Sequence, residues 1–159
     1  MPNIVFITGP TAAGKSDIAF RVAKETGAEI ISCDSMLVYK EPRIITSKPP
    51  EYMLDEVRHH FIDIISVSET YNVFSYYAEA VKLIADLHAK KVPIIICGGS
   101  GLYMKALLDG IFKGSSRNNE LRVSLEEEAK IKGNNTLYKR LKSVDPAAAR
   151  RIFPNDLKR

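Results

Sequence analysis

The chain is poor in cysteine and lacks any apolar run of bilayer length. Two cysteines, Cys33 and Cys97, in 159 residues imply no disulfide framework. No stretch approaches the ~18–20 apolar residues that a membrane helix needs. The opening Met1-Pro2-Asn3-Ile4-Val5-Phe6 carries neither the basic segment nor the cleavage site of a secretory signal. A reducing, cytoplasmic setting without a membrane is therefore expected. There is no internal repeat and no low-complexity tract. No Cys/His cluster has metal-ligand spacing, and no Ser–His–Asp set points to a hydrolase triad. His59 and His60 are adjacent, so on a strand they face opposite ways and do not form a metal pair.

What is present is ordinary for one globular domain: 45% hydrophobic and 26% charged residues. That balance excludes a disordered chain, a collagen-like fibre and a coiled coil. The charge is uneven. Residues 1–109 hold 11 Lys/Arg against 13 Asp/Glu, whereas residues 110–159 hold 12 against 6, which together give the net +4. A basic C-terminal third favours a polyanionic partner, although a solvated helical surface explains it equally well.

The pattern alternates strands and helices. Asn3 to Thr8 is a short apolar run of the kind buried on both faces of a parallel sheet. A helical pattern runs from Lys15 to Thr26 with Ile18, Ala19, Val22 and Ala23 on one face, and Gly27 stands at its C-cap. Glu29 to Ser32 resumes a strand. A long connection, residues 33–58, carries three prolines and one short helix. His60 to Ile65 reads as an edge strand. Val73 to Lys90 is the clearest helix, with Val73, Tyr77, Ala80, Val81, Ile84 and Leu87 at helical spacing. Val92 to Cys97 is a second buried strand, followed by Gly98-Gly99-Ser100-Gly101 and a helix from Leu102 to Leu108. Charged amphipathic helices follow at 118–132 and 136–143, and Asp145-Pro146 opens a short helix through Arg151. Three or four strands are few for an open sheet, and residues 155–159 look like the start of a helix. The chain thus reads as the N-terminal part of something longer.

The strongest motif is Gly9-Pro10-Thr11-Ala12-Ala13-Gly14-Lys15-Ser16, a match to G-x-x-x-x-G-K-[ST]. Its glycines let the backbone curl so that successive N–H groups face an anion, and the helix that follows adds its positive end. Lys15 would reach an outer phosphate and Ser16 would ligate Mg²⁺. The motif marks a diphosphate-like group without saying what carries it, or whether phosphate is transferred or leaves. Asp34 follows the second strand, at the carboxyl edge where open parallel sheets bind ligands. A Mg²⁺ ligand, a binder of a substrate hydroxyl, a general base and a turn cap all fit it. Ser100, at the same edge, is either a donor to substrate or a turn residue. Cys33 and Cys97 end strands and read as buried structural thiols.

The order of motifs resembles a known family. Beside residues 9–16 stand Asp34-Ser35-Met36-Leu37-Val38-Tyr39, Thr46-Ser47-Lys48-Pro49, His59-His60-Phe61-Ile62-Asp63-Ile64, Gly98-Gly99-Ser100-Gly101-Leu102-Tyr103 and Pro154-Asn155-Asp156. This arrangement is similar to that of the tRNA dimethylallyltransferases, whose fold resembles P-loop kinases. The resemblance implies an α/β core, a P-loop kinase-like parallel sheet flanked by helices, over residues 1–110. It implies an RNA-facing helical insertion over 111–150 and a return to the core at 151–159. It further implies transfer of a dimethylallyl group from dimethylallyl diphosphate to N6 of an adenine beside the tRNA anticodon, by a monomer. On this reading Gly9 to Ser16 hold the diphosphate, with Mg²⁺ on Ser16. Asp34, Lys15 and Ser100 are catalytic: Asp34 accepts the amine proton, and Ser100 touches nucleotide or phosphate. Ser35, Met36 and Leu37 line the adenine pocket, and Arg122 and Asn155, Asp156, Leu157, Lys158 and Arg159 face the tRNA anticodon stem-loop. Leu37 stands where the family has Gln, and Ser100 where it has Thr. The stretch from Lys40 to Ile45 replaces one richer in glycine. The family also runs to about twice this length, with a later arginine and further RNA-binding helices. The phosphate loop alone fits an ATP-dependent small-molecule kinase as well, and the short length fits a non-catalytic RNA- or nucleotide-binding remnant.

Overall fold

A computed structural model describes residues 4–42, 48–111 and 118–156. The motif residues Thr46 and Ser47, the stretch 43–45 and the expected tRNA-facing residues Leu157, Lys158 and Arg159 lie outside them. Two compact units are present, Met1–Phe112 and Lys113–Arg159.

The first unit is an α/β layer structure. Four parallel strands, β1 (Ile4–Thr8), β2 (Glu29–Ser32), β3 (His59–His60) and β4 (Ile94–Gly98), form one sheet in the order β1-β4-β2-β3. Helices α1 (Lys15–Thr26) and α2 (Glu51–Glu56), with Val57 just after α2, supply Ala19, Phe20, Ala23, Met53 and Val57 to one face, where Ile30 and Ile95 meet them. Helices α3 (Val73–Ala89) and α4 (Gly101–Asp109) cover the other face, where Tyr76, Ala80, Leu87 and Tyr103 pack on Ile31, Ile94 and Ile96. Successive isoleucines thus point to opposite faces, which is why β2 and β4 read as unbroken apolar runs. Asp17 in the first turn of α1, Lys24 in the last and Gly27 at the C-cap (φ 68°) complete that helix as its sequence indicates.

Three sequence expectations are corrected. The run leading into Thr8 is not buried on both faces: β1 is an outer strand paired, among the described strands, with β4 alone, and Ile4 and Val5 are 39% and 45% exposed. Composition reports apolar character, not sheet order. The inward face of α1 is Ala19, Phe20 and Ala23, leaving Ile18 and Val22 exposed, because Phe20 packs edge-on against Tyr52 of α2. The expected strand to Ile65 stops at His60. Phe61 (φ 61°) and Asp63 (φ 55°) adopt left-handed conformations that end extended pairing, and Ile65 rejoins as a single bridge to Tyr39.

The second unit consists of α5 (Asn119–Lys132), α6 (Asn134–Val144) and α7 (Pro146–Ala149). Asn118 caps α5 through the Leu121 amide, and Asp145 caps α7 through the Ala148 amide ahead of Pro146. Glu128 bridges Lys132 and Arg140, and Tyr138 donates to the Ala149 carbonyl.

Candidate functional site at the carboxyl edge of the sheet

Residues 9–16 join β1 to α1. Two left-handed residues, Ala12 (φ 65°) and Gly14 (φ 72°), curl this loop. Gly14 is the N-cap and offers no side chain, so the first-turn N–H groups of α1 lack both a helical carbonyl and a capping oxygen. That is the local geometry of an anion nest at a helix N-terminus. The Lys15 ammonium folds across the loop and donates to the Pro10 carbonyl at 2.6 Å. Ser16, the next residue, is exposed.

The loop after β2 and the loop after β4 meet because of one glycine. A Cβ on Gly98 would stand 2.1 Å from the Cys33 carbonyl oxygen and 2.4 Å from its carbon. Only glycine allows the ends of the two strands to cross this closely. The crossing is tied by the Cys33 amide donating to the Cys97 carbonyl (2.7 Å) and the Ser100 amide donating to the Cys33 carbonyl (3.1 Å). The Ser100 hydroxyl accepts from the Ser35 amide at 2.9 Å and lies 3.3 Å from the Ser35 hydroxyl. A Cβ on Gly99 would lie 3.4 Å from the Gly9 carbonyl, so the second glycine loop also abuts the 9–16 loop. Asp34 sits between, half-buried, with Oδ1 accepting from the Met36 amide at 2.8 Å. Met36 is exposed and Leu37 half-buried.

A cleft of about 480 Å³ opens between the two glycine loops and α4. Its walls include Gly9, Pro10, Gly99 and Ser100 on the loop side and Met104 and Leu108 on the helix side. Lys15 and Asp34 do not line it, since one turns onto Pro10 and the other onto Met36. Beneath the site Tyr76 and Tyr103 stack at 4.3 Å, and Phe61 meets Tyr76 edge-on. Burial pushes the Cys33 thiol up to about 11 and raises the Cys97 thiol and the Tyr76 and Tyr103 hydroxyls. Both thiols are therefore protonated at neutral pH, which suits structural residues and not nucleophiles. His59 bonds the Val57 carbonyl and His60 pairs with Glu29, so the two rings are separately engaged.

In the helical unit Arg122 is half-exposed and pairs with Glu126 one turn on. Asn155 is exposed and the Asp156 amide donates to the Phe153 carbonyl. Sequence reasoning gave no role to Tyr76, whose only signal is its place on the apolar stripe of α3. It gave none to Lys48 either, which stands in the motif spanning residues 46–49.

A parallel sheet flanked by helices, with a glycine-rich loop between its first strand and helix, puts the chain in the P-loop NTPase-like class of α/β folds, as its structural neighbours do. Within that class the chain belongs to the IPP transferase family, whose model matches residues 37–159. It is 45% identical over 159 residues to the tRNA dimethylallyltransferase of Thermotoga maritima, covering 99% of this chain and 51% of that protein. It is 40% identical over 156 residues to that of Chlorobaculum parvum, covering 98% and 50%. Among solved structures it resembles the full-length tRNA isopentenylpyrophosphate transferase of Bacillus halodurans (TM-score 0.69, 35% identity, 99% of this chain and 52% of that one). It also resembles a eukaryotic dimethylallyltransferase acting on tRNA (TM-score 0.83, 28% identity, 98% and 38%). The chain spans about half the length of the curated relatives it matches.

Proposed function

We propose that this chain carries the diphosphate- and adenine-holding part of a tRNA dimethylallyltransferase. The reaction moves a dimethylallyl group from dimethylallyl diphosphate to N6 of an adenine beside the anticodon and releases diphosphate. The observation that carries this reading is the Gly98 crossing, which gathers the phosphate loop, the Asp34 segment and the second glycine loop at one sheet edge. The relatives' names support a dimethylallyl group and a tRNA; the diphosphate donor and the adenine N6 acceptor belong to this proposal.

The chemistry follows from those parts. Gly9, Pro10, Thr11, Ala12, Ala13 and Gly14, with the amides of Lys15 and Ser16, surround the diphosphate, and Lys15 swings from Pro10 onto it. An exocyclic adenine amine is a weak nucleophile, because its lone pair is delocalised into the ring. As N6 attacks the allylic carbon, the C–O bond breaks and its electron pair leaves with the diphosphate. The N6 proton passes to Asp34, whose Oδ1 is already held by the Met36 amide. Charge growing on the leaving group meets amides and an ammonium already in place. The apolar Met104 and Leu108 wall of the cleft suits a prenyl tail. Among the described residues no group of three or more His, Cys, Asp or Glu forms a metal cage. Mg²⁺ on a diphosphate needs only one or two protein oxygens. The exposed Ser16 hydroxyl fits as one of them, and the ion when bound neutralises part of the leaving-group charge.

Ser35, Met36 and Leu37 present the pocket for the base, which must leave its stack. Ser100 acts by holding Ser35. The helical unit, with Arg122 and the Asn155–Arg159 stretch, grips the anticodon stem through phosphate contacts. Among the described residues no helix is long and apolar enough to cross a membrane; we place the enzyme in the cytoplasm as a monomer. The kinase reading finds no support among the relatives. The test is incubation with dimethylallyl diphosphate, Mg²⁺ and unmodified tRNA, followed by mass analysis of the nucleosides. Dimethylallyl-adenosine is expected, and Asp34→Asn abolishes it while retaining donor binding. Phosphorylation of a small hydroxyl acceptor by ATP, with no prenyl transfer, would overturn the reading.

A further inference from the structure

The Asp34–Leu37 segment is held from two sides, and the second holder is a buried lysine. The side chain of Lys48 is only 7% exposed, a state lysine rarely adopts unless it is paired. Its ammonium donates to the Tyr39 carbonyl (2.6 Å), the Lys40 carbonyl (2.9 Å) and the Asp63 carboxylate. An ammonium has three N–H bonds, and all three are spent on protein oxygens. Lys48 therefore has no donor left for a substrate.

Those oxygens surround one short ladder. The Asp63 amide donates to the Leu37 carbonyl (3.0 Å), the Ile64 and Ile65 amides to the Val38 carbonyl (2.9 and 3.1 Å), and the Lys40 amide to the Ile65 carbonyl (2.9 Å). Asp63 thus works twice, its amide on Leu37 and its carboxylate on Lys48, and Lys48 returns to the backbone at Tyr39 and Lys40. The ring so closed leaves 37–40 unable to slide against 63–65. Asp63 holds its place in this ring from a left-handed conformation (φ 55°), which persists only where the surroundings enforce it. At the other end Ser100 fixes Ser35. Between the two anchors Met36 is 48% exposed. The result is a rigid frame with an open middle, as a base-receiving segment requires.

We propose that Lys48 is a positioning residue: by locking Leu37–Lys40 to Asp63 it sets where the Asp34–Leu37 segment stands, without touching substrate. The link from that segment to the base rests on the function proposed above, whereas the lock itself does not.

The test uses Lys48→Met, which keeps chain length and loses every donor, and Lys48→Arg, which keeps the charge but cannot converge a planar fork on three oxygens. Amide hydrogen exchange is read by residue on the whole chain. In Lys48→Met the amides of Lys40, Asp63, Ile64 and Ile65 should exchange at least tenfold faster, with those of α1 and β4 within twofold of wild type. Lys48→Arg should fall between. Unchanged exchange at those four amides, or equal acceleration throughout the core, overturns the proposal. A second reading uses an unmodified anticodon stem-loop RNA and dimethylallyl diphosphate as probes. Lys48→Met should weaken the RNA at least fivefold and leave the diphosphate within twofold; loss of both alike, or of neither, contradicts the positioning role. A wild-type chain that binds no RNA would sink the proposed function, while the exchange experiment would still decide the lock.

Discussion

Replacing Gly98 by alanine is the sharpest structural perturbation available. The new methyl would lie 2.1, 2.4 and 2.9 Å from the oxygen, carbonyl carbon and Cα of Cys33. All three are backbone atoms of a neighbouring strand end, so no side chain can rotate away. Relief requires β4 and the end of β2 to part, which strains or breaks the Cys33–Cys97 and Ser100–Cys33 hydrogen bonds. Overpacking costs about 1–3 kcal/mol and each lost hydrogen bond about 1 kcal/mol. The expected loss is therefore about 3–5 kcal/mol, a large share of a typical domain's stability. Gly101→Ala is the matched control, because a Cβ there meets nothing within 4 Å in the first turn of α4. It should be neutral or stabilising by up to ~1 kcal/mol. Urea unfolding followed by near-ultraviolet circular dichroism reads the difference, since the sequence has no tryptophan and the packed tyrosines, Tyr76 and Tyr103 among them, report the tertiary packing. With a slope of about 2 kcal/mol per molar urea, Gly98→Ala should lower the midpoint by roughly 2 M. A shift no larger than that of Gly101→Ala would refute the close crossing on which the site depends.

Burial raises the Cys33 thiol from 9.0 to about 11. The unfolded chain therefore releases that proton first, and stability that is complete below pH 9 should fall by about 2 kcal/mol as pH climbs through 11. Cys33→Ala should shrink that fall in urea titrations at stepped pH. Ala12→Gly should relieve a left-handed alanine (φ 65°) and leave stability unchanged or higher by up to ~1 kcal/mol, whereas Ala12→Val should lower it, both read by thermal unfolding. On the proposed function, Leu37→Gln should add a donor and an acceptor beside the adenine and tighten an adenine-containing anticodon stem-loop about fivefold, the worth of one hydrogen bond, in fluorescence titration.

Where the sequence spoke through local rules, the structure follows it. Gly27 ends α1, Asp145 caps α7, and the isoleucine runs of β2 and β4 pair in the centre of the sheet. What stayed hidden was long-range. That β1 is an outer strand among the described strands depends on sheet order, which its apolar composition does not encode. Phe61 and Asp63 break a strand because Tyr76 and Lys48 hold them, and both partners are distant in sequence. Asp34 and Ser100 were legible as edge residues, but the bond from Ser100 to Ser35 exists only because Gly98 admits the crossing. The motif containing Lys48 was visible, while its three acceptors were not.

The central claim is that the curled loop ahead of α1 grips a diphosphate. Isothermal titration of dimethylallyl diphosphate with Mg²⁺ into the wild-type chain and into Lys15→Ala tests it most directly. The account predicts saturable one-site binding that Lys15→Ala weakens at least tenfold, with unfolding midpoints unchanged. Equal affinity in the two proteins, or no binding by a folded wild-type chain, would contradict it.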